Sequence, residues 1–442
     1  MSTTPVSPDR TLTDIPPADP GSRGLTEDVL LLDHATHFEA RGQISGRVLV
    51  AHTEADRALQ AAVDFIAVGG PGTVYLSRGN FPLRQPVVLP SHVTLAGTGR
   101  GTRLVVTDDN PQGIGLLVEG ADRVVVRDLL VVSQTPGHGV AGVVVDRAGQ
   151  PRLTHVEAVG FGWYGIWVRN ECFLPVVENC TAADNGVANF IVDTHHRGPR
   201  GNFPPITIIN CTAVAGGVGF EIHKSTVVNV IACTVYQSSG SGFHIHNWSC
   251  SVLLSGCRTF QVAGHALVAE VSHELNLTGN VFCWHEKDGL IIRDCAWGVI
   301  TGNEVIDSGS INPGGPDETF LISDLPPGTP VGCAISLHHV RGFAITGNTL
   351  FNWPQGRKLD NAVVEDDACH ENSIAGNVIN YVGDEAIVTP AGRSTINGNV
   401  VQGPVPFQGP ADRKWIQTYQ PELTRRFIDR SLHLRDPDEP AP

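Results

Sequence analysis

The sequence predicts an all-β protein: a single-stranded right-handed parallel β-helix of about 11 coils with an N-terminal capping helix. Three observations carry this expectation. A five-residue strand phrase recurs along the chain, a column of Cys and Asn keeps the same spacing, and the composition suits short strands and tight turns.

The strand phrase has the form small–apolar–x–apolar–polar. Its copies are GLLVE (115–119), GVVVD (142–146), GIWVR (165–169), NFIVD (189–193), GFEIH (219–223), GFHIH (242–246), ALVAE (266–270), GLIIR (289–293), AISLH (334–338), AVVED (362–366) and EAIVT (385–389). The polar residues form a column of Glu119, Asp146, Arg169, Asp193, His223, His246, Glu270, Arg293, His338, Glu365 and Thr389. Most steps in this column are 23 or 24 residues, and a few are longer. That is the spacing of a β-helix coil. A second column, Cys180, Cys211, Cys233, Cys257, Asn280, Asn303, Asn348, Asn377 and Asn399, takes its long steps at the same rungs. Turn amides stack and bond along such a column, and small thiols fill equivalent inward sites. The row is read as scaffold, because its cysteines lack the close pairing of a metal clamp.

The chain has 442 residues, 41% of them hydrophobic, with 49 Gly, 30 Pro and a single Met. Its formal net charge of −15 argues against nucleic-acid or anionic-membrane partners. No apolar run approaches the ~20 residues of a membrane span. The opening residues show no apolar leader segment, so the expected location is cytoplasmic and the ten Cys are expected as thiols.

Residues 1–45 read as an irregular arm, Pro-rich at first. HTEADRALQAAVDFIAVGG (52–70) has helical apolar spacing, an acidic start and a Gly-Gly stop, and reads as the cap that covers the first coil. The β-helix domain is expected over 46–402, and a tail with helical character over 403–442. Insertions at 195–205, 308–331 and 352–360 adjoin the row of polar strand ends, where they would form walls or lids.

The segment 53–105, with its acidic–Ala helix ending in Gly-Gly-Pro-Gly, the strand TVYL and the run VVLPSHVTLAGTGRGTRL, resembles the start of pectate-lyase-like β-helix proteins. That superfamily includes polysaccharide lyases, glycosidases, mannuronan C5-epimerases, inulin fructotransferases and phage tailspikes. The resemblance spans roughly 53–402 and implies the fold more specifically than the reaction. In NFIVDTHHRG, Asp193 and His195 match two positions of the epimerases' catalytic Asp-Pro-His motif, with Thr194 in place of Pro. The catalytic Tyr of that family has no clear counterpart, since Tyr164 lies one rung earlier. The resemblance also implies a homo-oligomer, often a trimer.

In a strand, the x and final polar positions of the phrase share the outward face. Neighbouring rungs lie ~4.8 Å apart, so Asp193, Glu221, His223, His244, His246, Glu270 and Arg293 are expected to form one patch. A merely solvated sheet face would favour Thr, Ser and Lys. His223 or His246 would move a proton near neutral pH, with Glu221 or Glu270 orienting the imidazole. Arg293, Arg169 or Lys224 would hold a substrate carboxylate. His244 and Trp167 are candidate substrate contacts, His338 a rim contact, and Trp248 either a sugar platform or core. No cofactor is expected, although His223, His244, His246 and Glu270 also resemble a divalent-metal constellation. His273, His285 and Glu286 read as ordinary surface.

These residues point first to an acid–base enzyme of lyase or epimerase type, acting on a uronate-like or polyhydroxylated substrate. Three alternatives stay open: a glycosidase or fructotransferase with a carboxylate pair, a cytoplasmic small-metabolite cyclase, dehydratase or isomerase, and a non-enzymatic tailspike-like glycan-binding module.

Overall fold

The computed structural model describes residues 27–194, 204–309, 332–351, 359, 361–380 and 385–402. Over these the chain winds into a right-handed β-helix of about 12 turns. One sheet holds 12 parallel strands, one per coil, from Val87–Val88 and Ile114–Glu119 to Ile387–Val388. All the strand phrases fall in this sheet, and Val87–Val88 adds a coil ahead of them. The remaining strands pair coil on coil in a second, larger sheet. Early coils cross that sheet as long strands such as Arg152–Val159, while later ones break into two, such as Thr226–Ile231 and Thr234–Tyr236.

The break is a left-handed corner. Asn179, Asn210 and Ala232, then Gly256, Gly279 and Gly302, hold φ between 52 and 65° at this corner. Asn and Gly tolerate that conformation; Ala232 is the strained member of the series. The next residue points inward and builds the ladder. Asn280 donates its backbone N–H and its Nδ2 to Asn303 Oδ1, both at 2.9 Å, and Nδ2 also donates to Leu254 O at 3.1 Å. The pattern repeats through Asn348, Asn377 and Asn399. In the earlier coils Cys180, Cys211, Cys233 and Cys257 hold the same place, each thiol approaching carbonyls (for Cys211, Ile209 O at 3.4 Å).

The cap forms as expected. The helix Ala55–Gly69 buries Ala58, Leu59, Ala62, Val63 and Ile66 over the first coil. The arm is not irregular throughout, because Val29–Asp33, Phe38–Gly42 and Val48–His52 make an antiparallel meander joined to Gly72–Leu76. Its alternating apolar residues pack on the cap, which the Pro-rich start of the arm obscured. The tail 403–442 lies outside the described residues, as do 195–203, 310–331 and 352–358 of the insertions. Among the described residues no helix is long and apolar enough to cross a membrane.

Two sequence expectations change. Leu337, not His338, pairs with Glu365, so Glu365 points inward. It is 3% exposed and accepts hydrogen bonds from Asn372 Nδ2 and Ser394 Oγ, each at 2.8 Å. His285 is also interior: it is fully buried with Nε2 2.8 Å from Ser308 Oγ, and burial lowers its pKa to about 3.

Candidate active site

Row strands end at a second left-handed corner, whose residue follows the polar column directly. Lys224, Asn247, Val271 and Asp294 hold φ of 47, 63, 48 and 50°. The turn leaves each column side chain at the lip of the sheet. Behind the lip, hydroxyls brace each corner, and two of them also reach the coil before, Ser225 Oγ donating to Val192 O at 3.2 Å and Ser249 Oγ to Ile222 O at 3.1 Å. Ser225 Oγ donates to His223 O at 2.8 Å, Ser249 Oγ to His246 O at 2.8 Å, and Ser272 Oγ to Glu270 O at 2.9 Å. Thr194 joins this series by donating its backbone N–H to Ser225 Oγ at 3.0 Å. A proline at 194, as in the Asp-Pro-His motif, would have no N–H to give. Cys172 and Cys295 take the hydroxyl's place in flanking coils, where burial pushes their thiols up to about 11 and about 12. Three residues before the column, Phe190, Phe220 and Phe243 stack inside at centroid distances of 4.6 and 5.3 Å. The central strands therefore rest on a rigid aromatic pile.

On the outer face the expected patch assembles. Asp193, His223 and His246 are in direct register, with Glu221 beside His244. Asp193 Oδ1 lies 2.9 Å from His223 Nδ1. A carboxylate only accepts, so this bond places the proton on Nδ1 and leaves Nε2 as the basic nitrogen. The Asn247 amide Nδ2 stands 2.6 Å from that Nε2. His246 Nε2 is 3.0 Å from Glu221 Oε1, and Arg293 donates to Glu270 Oε1 at 3.0 Å. The His244 and His246 rings lie parallel with centroids 4.1 Å apart. His244 Nε2 is buried without a hydrogen-bond partner among the described residues, and Glu270 Oε2 lies 3.7 Å away. Burial first, and then the neighbouring His246, lowers the His244 pKa, favouring the neutral ring.

Other expected contacts are committed elsewhere. Arg169 donates to Asp146 Oδ2 at 2.7 Å, and Asp146 is only 2% exposed. A buried carboxylate needs such a partner, so Arg169 serves Asp146 before any substrate. Trp167 is covered by the Arg169 guanidinium at 4.5 Å and packs on Tyr164 at 4.9 Å, leaving it a poor free platform for a sugar. Among the described residues the exposed indoles are Trp163, Trp248 and Trp297, at 55%, 69% and 56%, so Trp248 is not a core residue. Lys224 is exposed at its corner. His338 stands one rung beyond Arg293, with Nδ1 3.7 Å from Asp366 Oδ2. His195 lies outside the described residues.

The metal constellation also changes membership. On this row the residues whose ligand atoms fall within 4.8 Å of one another are Glu221, His244 and His246, while His223 Nδ1 is bonded to Asp193. Two residues at the site were not singled out from sequence. Asn247 had a signal, being a left-handed corner Asn directly after the column. Tyr164 was set aside for lying a rung early, yet burial and then the charges of Glu221 and Asp193 raise its pKa, which keeps its phenol protonated.

Comparison with known proteins follows the fold. Residues 102–259 match the family described as a right handed beta helix region. No curated protein matches. Among solved structures, the chain is similar to the A-module of the Azotobacter vinelandii mannuronan C-5 epimerase AlgE6, with 18% identity, TM-score 0.65, and coverage of 79% of this chain and 95% of that one. The A-module of AlgE4 from the same organism gives 17% identity and TM-score 0.64, covering 78% and 96%. DFA-IIIase from Arthrobacter chlorophenolicus A6 gives 15% identity and TM-score 0.56, covering 78% and 94%. At these identities the likeness is one of fold.

Proposed function

We propose that the row from Asp193 to Arg293 binds a carbohydrate and performs acid–base chemistry of lyase or epimerase type on a uronate-like sugar. The observation that carries this reading is the Asp193–His223 pair at 2.9 Å. Asp193 orients the ring and stabilises the imidazolium that forms when Nε2 takes a proton. Substrate displaces Asn247 from that nitrogen, and the amide is then placed to hold a sugar oxygen. Tyr164, kept protonated by its surroundings, returns a proton to the leaving oxygen or to the opposite face of the sugar. Removing the proton beside a uronate carboxylate builds charge on its oxygens, and Arg293 at the upper end of the patch is the cation to receive it. Carbohydrate action is named in the descriptions of the epimerase modules, which supports the substrate class.

A panel of polyuronates, read by the ultraviolet absorbance of the unsaturated product and by NMR for inverted C5, tests the reading. Turnover in the wild type and its loss in His223→Ala is the expected result. Unchanged turnover in His223→Ala, or inertness of the wild type on the whole panel, overturns it.

A second reading rests on Glu221 and Glu270, which stand on strands to either side of the one bearing His244 and His246. Two rungs and a two-residue step along the strand put their backbones roughly 12 Å apart, and both side chains lean toward His244 between them, which brings the carboxyls toward the spacing of inverting glycoside hydrolysis. Release of reducing sugar that is lost in both Glu221→Gln and Glu270→Gln, without an unsaturated product, would favour it.

A further inference from the structure

We propose that Glu221, His244 and His246 bind a divalent transition-metal ion of the zinc type, with Glu270 completing the set on its outer side. The proposal rests on the row being the functional site and adds an ion to it.

The argument begins with the strand. His244 and His246 are two residues apart in Phe243–His246, so both rings leave the same face. Glu221 is the direct neighbour of His244 on the adjoining strand. Their ligand atoms already lie within 4.8 Å of one another, and Glu221 Oε1 is 3.0 Å from His246 Nε2. Zinc sits ~2.0–2.2 Å from nitrogen and oxygen donors, so modest side-chain rotations bring the three onto one ion. His244 Nε2 supplies an independent sign. It is buried with no hydrogen-bond partner among the described residues, which an ion accepting its lone pair would resolve. Glu270 Oε2 lies 3.7 Å from that nitrogen, while Arg293 holds the other oxygen of the same carboxylate. That division leaves Oε2 available and orients it, as outer-shell partners of metal ligands commonly do.

Two imidazoles and one or two carboxylates suit zinc or a neighbouring first-row ion better than calcium, which prefers an all-oxygen set. Three firm protein ligands leave positions for oxygens of the substrate, and an acidic or vicinally hydroxylated sugar supplies such oxygens. The ion would then hold the sugar while His223, bonded to Asp193 and outside the ligand set, keeps its own role.

The test is zinc titration of the full chain after treatment with a chelator, by calorimetry and by elemental analysis after dialysis. Saturable uptake of one equivalent is expected, weakened at least ~100-fold in His244→Ala and in His246→Ala, because losing a ligand exceeds the loss of an outer-shell partner. His244→Gln and thermal melts of each variant separate lost binding from lost folding. His223→Ala and Cys250→Ser should keep the uptake. The Cys250 control matters because Cys250, His273 and Glu274 form another group of possible ligands on the other sheet. Loaded with Co2+, the site should show visible d–d bands without a thiolate charge-transfer band. Absence of saturable uptake, uptake indifferent to both histidine variants, or a thiolate band lost in Cys250→Ser would each overturn the proposal. Uronate turnover without zinc uptake would defeat the ion alone; zinc uptake at the histidines with no turnover would defeat the acid–base reading alone.

Discussion

Successive coils turn through two left-handed corners, and the two place polar side chains to opposite ends. At the corner within the larger sheet, polar groups face inward and bond to their own kind along the axis, as Asn303 does with Asn280 below and Asn348 above. At the corner ending the row strands, hydroxyls of Ser225 and Ser249 do similar work inside, donating to carbonyls of the coil before. Outside it, the groups pair with unlike neighbours: Asp193 with His223, Glu221 with His246, Glu270 with Arg293. A column of identical groups satisfies itself and holds the coil. A column of unlike, titratable groups keeps donors and lone pairs that a ligand can use.

Breaking each side of this contrast should give a different kind of loss. The largest effect is expected outside: His223→Ala should lower turnover on the active sugar by roughly 10³-fold, as loss of a proton-transfer group does, with the thermal midpoint nearly unmoved. Steady-state kinetics beside a thermal melt reads both. Inside, Asn303→Ala removes the acceptor for the backbone N–H and Nδ2 of Asn280 and should cost about 3 kcal/mol in denaturant unfolding, with the site chemistry intact in the folded fraction.

Acid sharpens the contrast further. The folded His285 has a pKa of about 3, against about 6.5 in an unfolded chain, so falling pH protonates the unfolded state first. Its contribution to stability is intact above about 6.5 and declines as pH falls toward about 3, by about 2 kcal/mol between pH 6.5 and 5. Denaturant melts at several pH values should show this slope in the wild type and a flatter one in His285→Leu. Last, Cys211→Ala should cost only about 1 kcal/mol, because a thiol gives weak bonds where Asn gives strong ones. A loss matching that of Asn303→Ala would erase the distinction between the two halves of the ladder.

Much of this was legible in the sequence, and the limits have physical causes. The row and the ladder could be read because a two-residue side-chain period and a coil repeat near 23 residues reinforce each other. Glu365 was misplaced because the coil before it holds an extra residue, and one residue of offset turns a side chain from the surface to the core. Burial of His285 had a readable signal. It lies five residues after Asn280, as Val262 does after Cys257 and Ser308 after Asn303, and these three share one register. Pairings such as Arg169 with Asp146, or Asn247 with His223, depend on side-chain rotamers across coils, which spacing alone does not determine.

The Asn ladder also has a direction. From Asn280 to Asn377, each residue offers its backbone N–H and one Nδ2 hydrogen to Oδ1 of the later asparagine, while Nδ2 also anchors to a carbonyl of the earlier coil. A finished coil therefore presents a backbone N–H and an amide N–H still to be accepted on its later side, and the residue that accepts both is the next asparagine to leave the ribosome. The solenoid is a zipper with a sense of travel: cut from its trailing end, it exposes donors without acceptors, and added to in order of synthesis, it closes behind itself one tooth at a time.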